Sequence, residues 1–409
     1  MRTYVIIMVV VNMKDRVILH VDVNNAFLSW SAVWLLKNGY KVDIRNRFAV
    51  IGGDEKKRRG VVLAKSIPAK QMGVVTGESL YLAKKKCPNL EVFPPNFKIY
   101  SYFSNKMFDY LQKYSDKIER YSIDECFIDY TDSVKLFGDP LDIAYKIKND
   151  IKENLGFTVN VGVGNNKLCA KMASDFSKPD KVHTLFSDEI EQKMWPLPVT
   201  DLFMIGKKTS EKLINLGIKT IYDLANTDED MLVRIFKSMG KMMHEYANGI
   251  DNSLVEYEYA GPKSISSSSV LPYDCDNKEE LLKVVRSLSI DVGKRLRKQS
   301  KSASCVYTSI KYADFSKNSK QLKLDREINS DNDLYNHFVK LFNSLWNLEP
   351  VRNICVGVSN FKNTGELQLS LFENNIKIEK EKDVQNIVDS LREKFGNDKI
   401  IYADMIRKK

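Results

Sequence analysis

Two apolar, β-branched runs interrupted by carboxylates constrain this chain more than any other feature. One is Tyr121-Ser122-Ile123-Asp124-Glu125-Cys126-Phe127-Ile128-Asp129, and the other is His20-Val21-Asp22-Val23-Asn24-Asn25-Ala26-Phe27. Such runs read as buried strands rather than solvated loops. Adjacent carboxylates in a buried strand are costly unless a partner or a metal neutralises them. No cationic residue lies between Tyr121 and Phe127, so a divalent cation is the expected partner. With a strand over 17–23 beside a strand over 121–129, Asp22, Asp124 and Glu125 converge on one site, and hard oxygen ligands of this kind suit magnesium. The alternative is a turn with exposed acids, and the rest of the chain has to decide between the two.

The 409 residues suffice for roughly three or four domains. A net charge of +10 and a pI near 9.0 point to a polyanionic partner such as nucleic acid or an anionic surface. The six cysteines, at 87, 126, 169, 275, 305 and 355, form no CxxC pair. That spacing argues for reduced thiols in a cytoplasmic protein, and against a disulfide framework or a structural zinc site. The apolar stretch over 5–11 is too short to span a bilayer and carries no small-residue cleavage site, so neither a membrane anchor nor a signal peptide is expected. The first twelve residues, ahead of Met13, read as an upstream extension.

Along the chain, the strand over 17–23 leads into a helix over 26–37 that ends at Gly39. A small insert over 38–95 follows, with short strands over 48–51 and 61–64 and a basic helix over 79–86. Helices over 100–114 and 141–154 flank the acidic strand, and a further strand covers 157–163. The order fits an antiparallel sheet backed by helices, an α+β layer with the insert capping the acidic site. Gly162-Val163-Gly164-Asn165-Asn166-Lys167 precedes a helix and reads as a phosphate cradle, or else as a glycine-rich turn without a ligand.

From about residue 188 the pattern changes to short helices joined by tight turns. Gly206-Lys207-Lys208-Thr209 sits within a helix-hairpin-helix pattern, where glycine lets the backbone approach a DNA phosphate and the lysines add charge. The serine-rich stretch over 259–269 reads as a linker to a new α+β domain. Residues 277–323 hold twelve Lys or Arg against four Asp or Glu, a net of +8. That module, Lys294, Arg295 and Arg297 included, is expected to lie along a phosphate backbone.

Val21-Asp22-Val23-Asn24-Asn25-Ala26-Phe27, Tyr121-Ser122-Ile123-Asp124-Glu125 and Asn166-Lys167-Leu168-Cys169-Ala170-Lys171-Met172-Ala173-Ser174-Asp175 together resemble the Y-family translesion DNA polymerases, in particular the DinB or polymerase IV type. The resemblance implies a multidomain α+β right hand. Its parts would be an antiparallel-sheet palm (1–37 and 96–187), small fingers (38–95), a helical thumb with a helix-hairpin-helix (188–258), an α+β little finger (259–362) and a tail (363–409). It implies primer extension by two-metal phosphoryl transfer, with two magnesium ions, or manganese, held by Asp22, Asp124, Glu125 and the Val23 carbonyl. Phe27 would be the steric gate against ribose, and Ala26, Phe27, Lys70 and Lys167 would meet the nucleotide. The implied partners are primer-template DNA, deoxynucleoside triphosphates and a sliding clamp, with the polymerase itself a monomer. The family's Tyr-x-x-Arg reads here as Ile67-Pro68-Ala69-Lys70, which removes a hydroxyl and exchanges a bidentate fork for a point charge. Gln368, Leu369, Leu371 and Phe372, in Gln-Leu-Ser-Leu-Phe, resemble the peptide with which bacterial polymerases dock on the clamp. The rival readings are a non-catalytic DNA- and clamp-binding scaffold of the same fold, and a two-metal nuclease, which needs neither Phe27 nor a triphosphate lysine.

Overall fold

The computed structural model describes residues 16–258, 261–363, 375–396 and 399–405, without the side chains of residues 56, 375–382 and 404. The upstream extension and the Gln368–Phe372 peptide lie outside the described residues. The chain divides into two units, Met1–Gly53 with Val61–Tyr259, and Asp54–Gly60 with Ala260–Lys409.

In chain order the first unit holds β1 (Ile18–Val23), the short strands β2 (Ala49–Gly52), β3 (Val62–Lys65) and β4 (Glu91–Phe93), then β5 (Ile118–Arg120), β6 (Glu125–Asp129), β7 (Val159–Gly164) and β8 (Val182–Leu185). The main sheet runs β5-β6-β1-β7-β8, with β1 at its centre. The two-residue period of β1 sorts its side chains. Leu19, Val21 and Val23 join the core formed with Trp30, Phe103 and Ile147 from the helices Ala26–Lys37, Phe97–Leu111 and Pro140–Leu155. Ile18 and His20 instead meet the helix Lys167–Asp175, through Ala170 and Ser174. Asp22 continues this second face to the end of the strand.

Glycine explains how closely that helix lies. A Cβ on Gly162 would collide with the Ala170 carbonyl, and one on Gly164 would stand 2.7 Å from the Cys169 Cβ. The glycines of the expected phosphate cradle therefore serve strand-helix contact. The helix's first N–H groups are already taken, since Leu168 N donates to Asp251 Oδ2 at 3.1 Å and Cys169 N donates to the Asn166 side chain at 2.8 Å. Other helix ends follow ordinary capping chemistry: the Asp139 carboxylate accepts from Leu141 N and Asp142 N ahead of Pro140–Leu155.

Three details differ from the sequence reading. The sheet is mixed, because β7 and β8 run parallel, as do β2 and β4 in the three-stranded insert sheet. The helix expected over 100–114 is Phe97–Leu111, capped by Asn96. The acidic strand starts only at Glu125, so Asp124 lies in the turn that feeds it.

The second unit holds β9 (Ser264–Cys275), β10 (Lys301–Tyr312), β11 (Lys317–Ile328) and β12 (Val351–Asn363) in one antiparallel sheet, ordered β11-β10-β12-β9. The serine-rich stretch read as a linker is in large part strand β9. Ile265 is buried, Ser267 and Ser269 on its face are half-buried, and Ser264, Ser266 and Ser268 are exposed, so the pattern is a half-buried strand. Val306, Ile310, Ile354 and Val356 face the helices Lys278–Lys298 and Asp331–Leu345. Asp331 is fully buried and compensated by Arg297 at 3.0 Å and Arg392 at 2.8 Å, while Asp389 takes Arg297 Nε at 2.6 Å. The helix Asn375–Phe395 thereby docks through its polar side. The cysteines are all free and five of the six are buried.

Candidate active site

The register places the acids together. Asp22 pairs with Glu125 across β1 and β6, and Val23 N donates to the Asp124 carbonyl at 3.0 Å. Asp22, Asp124 and Glu125 therefore converge at one end of the sheet, as the sequence implied.

Their charge balance differs from the sequence reading, because cations reach them from distant sequence. Lys171 Nζ lies 2.6 Å from Glu125 Oε2 and 3.4 Å from Asp22 Oδ2, and Lys178 Nζ lies 2.7 Å from Asp22 Oδ2. His20, fully buried, places Nδ1 2.8 Å from Ser174 Oγ and Nε2 3.2 Å from Glu125 Oε2, the latter outside hydrogen-bonding geometry. Burial lowers the His20 pKa. Burial would raise that of Glu125, but His20 and the Lys171 ammonium outweigh it and hold the carboxyl at about 2. Burial notwithstanding, Lys171 is raised by Glu125, Asp22 and Asp175, and Lys178 by Asp22 and Asp175.

Asp124 is the exception. Its carboxylate accepts a hydrogen bond from Ser122 Oγ at 2.6 Å, and its pKa is raised, first by burial and further by the charges of Asp22 and Glu125. Negative charge is thus left undercompensated at Asp124. Among the described residues no group of three or more His, Cys, Asp or Glu side chains is arranged as a metal cage.

Phe27 is half-buried, stacked on Tyr100 at 4.5 Å with an interplanar angle of 12° and edge-on to Phe97 at 5.8 Å. Ala26, beside it, is buried. Lys70 is exposed on the short helix Ile67–Gln71, which Ser66 caps, and Ile67 is 56% exposed.

Lys167 requires a correction as a phosphate ligand. Its ammonium is held by both Glu119 oxygens, at 2.8 and 2.7 Å, and by the Leu254 carbonyl at 3.4 Å. Glu119 also accepts from Glu256 N at 2.8 Å, so the lysine pins the segment that follows the helix Ser238–Ala247. Lys171 and Lys178 are the cations that sequence reasoning missed. The acidic runs signalled a need for positive charge, but which lysine meets it depends on how the helix Lys167–Asp175 crosses β1.

Gly206 is the N-cap of the helix Lys207–Asn215 and no side chain caps that end; Lys207 and Lys208 are exposed and Thr209 is partly so. In the second unit Arg295 is exposed and donates to the Ser266 carbonyl at 2.6 Å, and Lys294 is partly exposed. Arg297 is committed to Asp331, Asp389 and the Asn329 carbonyl, which withdraws it as a DNA contact.

Comparison with known proteins adds to this geometry. The impB/mucB/samB family model matches residues 21–175, the model of that family's C-terminal domain matches 262–371, and the HHH motif of the IMS family matches 187–218. DNA polymerase IV of Clostridium acetobutylicum is 46% identical over 394 residues, spanning 96% of this chain and 99% of that protein. The chain belongs to the Y-family DNA polymerases, of the polymerase IV type. DNA polymerase IV 1 of Bacillus subtilis is 35% identical over 389 residues, spanning 94% of this chain and 91% of that one. A solved Y-family DNA polymerase chimera superposes with a TM-score of 0.74 at 25% identity, covering 85% of this chain and 99% of that one. In this Y-family polymerase the β5-β6-β1-β7-β8 sheet is the palm, the β2–β4 insert the fingers, the Gly206 hairpin part of the thumb, and the β9–β12 sheet the little finger. No helix among the described residues is long and apolar enough to cross a membrane.

Proposed function

We propose that this Y-family polymerase carries out error-prone translesion synthesis, adding deoxynucleotides to a primer 3′ end by phosphoryl transfer assisted by two divalent metal ions. The observation that carries the reading is the convergence of Asp22, Asp124 and Glu125 at one end of the palm sheet. The donor set fits magnesium, or manganese: all are hard oxygens, and Asp124, held by the Ser122 hydroxyl at 2.6 Å, retains undercompensated charge. Asp22, Asp124 and the Val23 carbonyl would hold the ions, with Glu125 on the primer side. When bound, they supply charge neutralisation for an in-line displacement.

The chain's own side chains account for orientation and selection. Lys178, 38% exposed and beside Asp22, offers its ammonium to the incoming triphosphate, and Lys70 adds a second point charge from the fingers. Phe27, held flat against Tyr100, lies under the sugar and leaves no room for a 2′-hydroxyl. The uncapped helix end at Gly206 presents backbone N–H groups to a DNA phosphate, flanked by Lys207, Lys208 and Thr209. In the little finger, the sheet face away from the helices carries Lys311, Lys317 and Lys323 on paired strands, a basic surface for the duplex backbone. Lys294 and Arg295 add to the charge of this domain.

Small fingers, built from three short strands and two short helices, would enclose the nascent pair loosely and tolerate damaged bases. Primer extension with magnesium on templates bearing an abasic site or a bulky adduct tests the reading. Bypass of at least one lesion is expected; full activity on undamaged DNA with arrest at every lesion would overturn the translesion assignment.

The Gln368–Phe372 peptide supports docking on a sliding clamp, with Leu371 and Phe372 as apolar anchors. Replacing both anchors with alanine is expected to remove stimulation by the clamp and spare basal extension. Equal stimulation of the variant and the wild type would sink this assignment.

A further inference from the structure

Asn160 lies on β7 directly opposite Asp22 and is fully buried. A buried amide costs free energy unless its donors and acceptor are met. Asn160 meets all of them with unusual economy of target. Nδ2 donates to the Ser174 carbonyl at 2.9 Å and to the Ser177 carbonyl at 2.6 Å; Oδ1 accepts from Asn24 Nδ2 at 3.0 Å and from Lys181 N at 3.3 Å. Asn24, buried and two residues beyond Asp22, accepts from Asp180 N at 2.9 Å through its own Oδ1.

Every side-chain bond of this pair, apart from the one that joins the two amides, ends on the segment 174–181, on either side of Lys178. These amides stand on β7 and on the turn directly after β1, so the same frame that fixes Asp22 also fixes the backbone that delivers Lys178. Asp180 adds an outer anchor, since its carboxylate is held by Lys148 at 3.0 Å and Lys152 at 2.7 Å on the helix Pro140–Leu155. A long, partly exposed lysine has many rotamers; the Lys178 ammonium is held by Asp22 at 2.7 Å and Asp175 at 2.8 Å, and a fixed backbone keeps both contacts within reach.

We infer that Asn160, with Asn24, is a positioning residue that sets the Lys178 ammonium beside Asp22 for the incoming triphosphate. This rests on the reading of Lys178 given above. The role requires an amide. A carboxylate of the same shape cannot donate, so Asn160→Asp turns the contacts with the Ser174 and Ser177 carbonyls into oxygen-oxygen repulsion.

Single-nucleotide insertion kinetics on primer-template DNA, with DNA affinity measured in parallel, test the inference on the full chain. Asn160→Asp is expected to raise KM for the deoxynucleotide about tenfold or more, since misplacement by an ångström carries penalties of that order. It should change kcat far less and leave DNA affinity unchanged. In a Lys178→Ala background the same substitution should raise KM no further, a non-additivity that a general loss of structure would not produce. Asn160→Ser, which removes the paired donors without adding charge, gives the same readout if the Asp variant does not fold. If Lys178→Ala itself leaves KM unchanged, the triphosphate role of Lys178 fails. If Lys178→Ala raises KM but the Asn160 variants do not, or raise it equally in both backgrounds, the positioning role fails and the triphosphate role stands.

Discussion

Asp124→Ala is expected to lower primer extension by about 10³-fold or more, the scale seen when a principal electrostatic group is removed from a reacting centre. Asp22 and Glu125 each have an ammonium partner, at 2.7 and 2.6 Å, whereas among the described residues Asp124 has the Ser122 hydroxyl and no ammonium, and a pKa raised by burial and by its acidic neighbours. It is therefore the carboxylate with most to gain from a bound cation, and alanine removes both the charge and the ligand. Folding should survive, because Asp124 lies in the turn ahead of β6 and outside the packed core. Its removal also relieves repulsion against Asp22 and Glu125. Steady-state extension with magnesium, alongside DNA binding and a thermal melt, checks this. Wild-type extension by a folded, DNA-bound Asp124→Ala would refute the active-site assignment, and a nuclease would be revealed by shortening of the primer instead.

Phe27→Ala should raise the efficiency of ribonucleotide insertion relative to deoxynucleotide insertion by on the order of 10²-fold, the range available to a steric pocket. The ring is fixed rather than free, with Tyr100 stacked behind it and Phe97 at its edge. Tyr100 is itself buried and held at 3.2 Å from the Ser31 hydroxyl, so it cannot swing forward to refill the space. The ratio of kcat/KM for ribo- and deoxynucleotides is the measurement, and an unchanged ratio would remove the gate assignment.

These expectations draw on different layers of information. The strand character of both acidic runs and their convergence could be read from the order of residues, because alternation and β-branching declare a buried strand locally. The helix Pro140–Leu155 was legible through its apolar spacing. Reading failed where one composition serves two structures. A run of serines signals a linker as readily as a strand whose open face is polar, and only the pairing of Ser264 to Ser268 with β12 resolves it. Glycines at 162 and 164 suit a phosphate turn as well as a close helix contact, and the position of Ala170 and Cys169 settles which they serve.

The charges show the division most clearly. The sequence by itself determined that acids at 22, 124 and 125 sit in or beside buried strands and need positive partners. Only the tertiary structure decided that Lys171 and Lys178 meet Asp22 and Glu125, that Lys167 and Arg297 are spent on Glu119 and on Asp331 with Asp389, and that Asn160 holds the Lys178 segment. The physical reason is reach. A strand is specified by its own residues, but a lysine ammonium at the end of a flexible stem finds its partner from wherever the backbone is anchored, and that anchor can lie more than a hundred residues away.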